Sequence, residues 1–111
     1  MEALKWSNKV YMGAGVYERA AEARKKLDEG KVLIPGVFLI TQAANPANQL
    51  EILDSRNLSQ NIVRKNLGVI YGMAANKKEA MAVLETIAEE CLSKTGSADM
   101  KTYLAQFGEE A

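Results

Sequence analysis

The spacing of apolar residues along this chain changes several times, and each change marks a boundary between predicted elements. Across residues 16–29, Val16, Ala20, Ala23 and Leu27 recur at three and four residues. Glu18, Glu22, Arg24, Lys25 and Lys26 fill positions between them, the pattern of a helix with one buried face. Gly30 follows, where a helix commonly stops because glycine takes positive φ without a Cβ penalty. The run Val37-Phe38-Leu39-Ile40-Thr41 is too short for a helix and apolar on both faces, which predicts a central strand. Pro35-Gly36 before it suits a type II turn. Leu50-Glu51-Ile52-Leu53-Asp54 predicts a second strand, and the turn formers Asn45-Pro46-Ala47-Asn48 predict an antiparallel hairpin joining the two.

Ser55 is placed to cap a short helix through residue 65, with Leu58 and Ile62 facing inward. Leu67-Gly68-Val69-Ile70-Tyr71-Gly72-Met73 predicts a third strand. Asn76-Lys77-Lys78-Glu79 then reads as a capping box, with Glu79 reaching back to the cap amide. Ala80, Leu84, Ile87 and Cys91, flanked by Met81, Ala88 and Leu92, form an apolar stripe down the helix that follows, and Thr95-Gly96 ends it. Ser97 can cap a last helix carrying Met100, Tyr103, Leu104 and Phe107 at i, i+3, i+4 and i+7 of one face. Residues 1–12 show no period and receive no element; they are expected to be disordered or to dock loosely through Trp6, Tyr11 and Met12.

The expected fold is therefore α+β, in the order αββαβαα. It is a small three-stranded sheet packed against amphipathic helices as a two-layer sandwich, with residues 1–111 making a single domain.

Composition removes most chemistry from this picture. The 111 residues contain no histidine and one cysteine, Cys91. Ser-His-Asp and Cys-His catalysis, His- and Cys-based zinc sites and iron–sulfur clusters are thereby excluded. No dense Asp motif suggests calcium, so neither a metal nor a cofactor is expected, and no catalytic residue is nominated. Glu51 and Asp54, the nearest thing to a carboxylate pair, differ by three and point to opposite faces of an ideal strand. Gly13-Ala14-Gly15 lacks the third glycine of a dinucleotide fingerprint, and Gly72 with Lys77 lacks the second glycine and the hydroxyl of a phosphate loop. A lone cysteine, no apolar run near the ~18 residues of a membrane span, and a start without a basic-then-apolar leader point to a cytoplasmic protein with no membrane partner.

The 14 basic and 14 acidic side chains cancel, which removes the strong field expected of a nucleic-acid binder. Their distribution is nevertheless uneven: Arg56, Arg64, Lys65, Lys77 and Lys78 fall in a stretch without an acid, whereas seven acids lie from Glu79 onward. Three readings follow. The leading one is a non-enzymatic interaction or regulatory module that self-associates, most simply as a homodimer, using Met100, Tyr103, Leu104 and Phe107. The second is a nucleic-acid binder using Arg56, Arg64, Lys65, Lys77 and Lys78. The third is a small anion- or phosphate-binding protein or enzyme with its site at Asn76, Lys77 and Lys78, where a helix N-terminus would favour negative charge.

Overall fold

The chain lays down strand β1 (Trp6–Met12), helix α1 (Ala20–Asp28), and strands β2 (Phe38–Gln42) and β3 (Leu50–Asp54). Helix α2 (Asn61–Asn66), strand β4 (Ile70–Ala74), and helices α3 (Lys77–Thr95) and α4 (Met100–Ala105) follow, with 3-10 turns at Tyr17–Arg19 and Ser55–Ser59. The structure is a computed structural model and describes residues 3–110. The strands form one sheet in the order β1-β4-β2-β3. β1 runs parallel to β4, and β2 pairs antiparallel with both β4 and β3. A radius of gyration of 13.3 Å is that of a compact domain of this length.

Two expectations are corrected. The sheet has four strands rather than three, because residues 6–12 supply β1 ahead of the predicted order. Their alternation is hidden by an irregularity: Trp6 and its neighbour Ser7 are both buried, and the register against β4 shifts between Trp6 and Tyr11. Such a bulge breaks the two-residue period on which strand recognition rests. Residues 1 and 2 of the expected arm lie outside the described residues.

The layering also differs. Leu39 and Met73 pack on one side of the sheet with Val16, Ala20, Ala23 and Leu27 of the α1 region, while Ile40 and Tyr71 pack on the other with Ala80, Val83, Ile87 and Cys91 of α3 and Leu104 of α4. Helices thus cover both faces, giving three layers in place of two. The physical reason is visible in β4, whose five residues are all buried: a strand buried on both sides needs cover on both.

Element ends follow local chemistry. Gly30 has φ 78° and its amide reaches the Leu27 carbonyl (3.1 Å), while the Lys31 amide reaches that of Lys26 (2.9 Å), the paired bonds of a Schellman stop. Asn76 caps α3 by accepting from the Glu79 amide at 2.8 Å, and Gly96 closes it at φ 72°. α4 is capped by Asp99, not Ser97; the Ser97 hydroxyl instead accepts from the Asp99 amide. Gly36 does not take the positive φ that a type II turn at Pro35-Gly36 requires.

Candidate functional site

The turn from β4 into α3 holds an anion of the chain's own. The Glu79 carboxylate does not return to the Asn76 amide; it accepts from the amides of Ala75 and Gly15, each at 3.0 Å. It lies where the helix dipole and unbonded amides favour negative charge. A Cβ on Gly13 would stand 2.0 Å from Glu79 Oε1, and one on Gly15 would stand 2.7 Å from Oε2. Gly13-Ala14-Gly15 is therefore a cradle for an internal carboxylate. Asn76, Lys77 and Lys78 are exposed around it.

The five cations do not converge on one face. Register pairs Phe38 with both Asp54 and Ala74, so Arg56, just past β3, and Lys77, just past β4, lie at the same end of the sheet. Arg56 is engaged there by Asp54, whose carboxylate takes its Nε at 3.1 Å and its guanidinium at 2.6 Å. That bond holds the Asp54 carboxyl below its ordinary range. Lys65 sits before β4, at the other end of that strand. Arg64 is buried, and its guanidinium donates to the Leu27 and Asp28 carbonyls at 2.8 and 3.3 Å. It thus serves the C-terminal end of α1, where positive charge is favoured. The sequence offers Arg64 only as a nucleic-acid contact because nothing local to α2 announces a partner 36 residues away.

The α4 face is also spent within the chain. Tyr103 and Leu104 are buried, and Met100 and Phe107 pack against the same core cluster. The rings of Tyr103 and Phe107 meet edge to face at 5.5 Å.

One polar cluster had no sequence signal, because its members come from three separate elements. Glu90 of α3 accepts from the hydroxyls of Tyr11 on β1 and Tyr103 on α4, the latter at 3.0 Å, and from Lys9 at 3.3 Å. Lys9 also lies over the rings of Tyr11 and Phe107, at 4.8 and 5.1 Å from their centroids. The Tyr11 bond is the main cause holding the Glu90 carboxyl below its ordinary value, and burial followed by Glu90 pushes both phenols upward. The bonds of this cluster clamp α3, α4 and β1 together. Among the described residues, no group of three His, Cys, Asp or Glu side chains is placed to hold a metal, Cys91 is buried, and no helix is long and apolar enough to cross a membrane.

No family model, curated protein or solved structure matches this chain.

What remains is the outline of the sheet, whose two edges are treated differently. Along β1 the outward backbone is taken: the Asn8 amide donates to the Gly108 carbonyl (2.8 Å), the Glu110 amide donates to the Trp6 carbonyl (2.9 Å), and Ser7 bridges antiparallel to Glu109. Along β3 it is open among the described residues. The Ser55 amide bonds Val37, and the Ala43 amide bonds the Gln49 carbonyl, so odd-numbered residues of β3 face β2. Leu50, Ile52 and Asp54 then turn their backbone groups outward. Beside this edge lies a cleft of about 240 Å³ lined by Glu51 and Leu53 of β3 and by Ile62, Val63 and Leu67. Ile62 is 69 % exposed.

Proposed function

We propose that this protein is a non-enzymatic interaction module that self-associates through the open edge of β3. The observation that carries the reading is the contrast between the two edges. Unpaired strand edges template pairing with another chain. Here β1 is covered and bulged, whereas β3 leaves the backbone groups of Leu50, Ile52 and Asp54 unpaired among the described residues, beside an exposed Ile62.

The edge is self-complementary. An antiparallel two-fold pairing centred on Ile52 sets Leu50 against Asp54 and Glu51 against Leu53 of the second copy, so no like charges face each other. Both copies then share one continuous sheet, with their Ile62 side chains on the same face to either side of the axis. A second copy is also the simplest occupant in number, since an isologous contact closes at two. The anion-binding and nucleic-acid readings lack comparable support: Glu79 already neutralises the amide cradle, and Arg56 and Arg64 are engaged within the chain.

The test is the solution mass. Sedimentation equilibrium at increasing concentration is expected to approach twice the 12.1 kDa of the monomer, and Ile62→Glu, at an exposed position, is expected to return the mass to that of the monomer with the fold unchanged by circular dichroism. A parent chain that stays monomeric at millimolar concentration contradicts the reading.

A further inference from the structure

We infer that the outer edge of β1 is a second binding site, a strand seat for an acidic extended peptide, and that residues 108–110 of this chain occupy it as a built-in competitor. The seat is defined on three sides. Its floor is the outward backbone of Trp6 and Asn8, which offers one carbonyl acceptor and one amide donor. A guanidinium stands at one end: Arg24 Nη1 and Nη2 grip the two Glu110 carboxylate oxygens at 2.6 and 2.7 Å, the planar fork that a carboxylate matches best. At the other end, Asn8 Nδ2 donates to the Phe107 carbonyl at 2.8 Å.

The fork is set in advance by groups that are not part of the occupying segment. Arg24 lies over the Trp6 ring with Cζ 4.6 Å from its centroid, the Trp6 indole N–H donates to Asp28 at 2.7 Å, and Asp28 stands 3.9 Å from Arg24 Nε. Stacking and the second carboxylate hold the guanidinium plane, so a carboxylate arriving there meets an oriented partner. These features select an occupant. It must be extended, run antiparallel to β1, and carry a carboxylate two residues beyond a carbonyl that can accept from Asn8. A second β1 does not fit, because antiparallel pairing through Trp6 and Asn8 would set Lys5 against Lys9.

The present occupant is held by few contacts. Residues 108–110 are exposed, reach the seat through Gly108 at φ 72°, and grip it through two backbone bonds and the ion pair. Competition with an external strand therefore requires the release of the contacts made by residues 108–110 and no change in the core.

Trp6, the one tryptophan in the chain and 3 % exposed, lies under the seat and reports on it. In the 111-residue chain, Glu110→Pro removes both the amide that bonds Trp6 and the carboxylate held by Arg24. Its Trp6 emission is expected to move to longer wavelength, and titration with the synthetic peptide Gln-Phe-Gly-Glu-Glu-Ala is expected to restore it. The parent should bind that peptide at least about ten-fold more weakly, since its own segment competes. The peptide Gln-Phe-Gly-Lys-Lys-Ala should not bind. Arg24→Gln in the Glu110→Pro background, which leaves the backbone seat intact, should weaken the acidic peptide by about ten-fold or more, as loss of a charged fork does. Unchanged Trp6 emission in Glu110→Pro, equal affinity in parent and variant, or equal affinity for the acidic and lysine peptides would each overturn the inference.

Discussion

Glycine at positions 13 and 15 shows how a single residue type can be legible as a motif and illegible as chemistry. The sequence displays the close backbone approach that Gly-x-Gly permits but not what approaches, and the answer is a carboxylate 64 residues further along, bonded to the Gly15 amide. Adding a methyl at Gly13 must displace Glu79, so we expect Gly13→Ala to cost about 1–3 kcal/mol, the usual range for overpacking. In chemical denaturation, the double variant with Glu79→Ala should cost less than the sum of the two single changes. Additivity would mean that the glycine is needed for another reason.

Glu90 supports a prediction in pH. Its carboxyl ionises below the ordinary 4.5 because Tyr11, Tyr103 and Lys9 bond the charged form. A group with a depressed folded-state value adds stability above the unfolded value and loses it as pH falls through the folded one. The melting-temperature gap between the parent and Glu90→Gln should therefore be largest above pH 4.5 and shrink on acidification. At neutral pH we expect a loss of about 1–3 kcal/mol, for weakened bonds to a charged group. The Tyr11 and Tyr103 phenols are raised above their ordinary 10.0, so their contribution is complete below pH 10 and declines as pH rises beyond it. A gap independent of pH from 3 to 7 would contradict this account of the cluster.

At the scale of elements, most of the order αββαβαα was legible because periodicity reports which side of an element meets the core. β2, β3, β4 and all four helices stand near their expected places, and Asn76 caps α3 as its spacing predicts. What failed did so for physical reasons. β1 was missed because a bulge breaks its alternation, and Met81 and Leu92, expected to flank the inner stripe of α3, are exposed while Val83 is buried, because an apolar stripe that wide does not mark its own edges. Arg64 illustrates a junction that no local window contains. It bonds the last carbonyls of α1 from α2, and Arg64→Met should cost about 2–3 kcal/mol by leaving buried carbonyls without a charged donor. Hydrogen exchange in that variant should be fastest at the Leu27 end of α1; uniform loss of protection would instead mean that Arg64 acts through global packing.

For the whole molecule, the three candidate surfaces of the sequence were legible as residues but not as surfaces. Charge, helix termini and apolar stripes are properties of stretches, whereas a binding face depends on what the fold has already used. Asp54 engages Arg56, Glu79 fills the amide cradle, and the core takes Tyr103 and Leu104. The sheet edges are then the parts of the outline with strand-binding capacity: β3 open among the described residues, and β1 covered by residues 108–110. Edge pairing is invisible in composition, because it rests on the backbone and on where the sheet stops.

The central claim is that the open β3 edge brings two copies together. Sedimentation equilibrium of the parent beside Ile62→Glu tests it most directly. The account predicts a mass approaching twice 12.1 kDa for the parent and a monomer for the variant; a parent that remains monomeric throughout, or a dimer indifferent to Ile62→Glu, contradicts it.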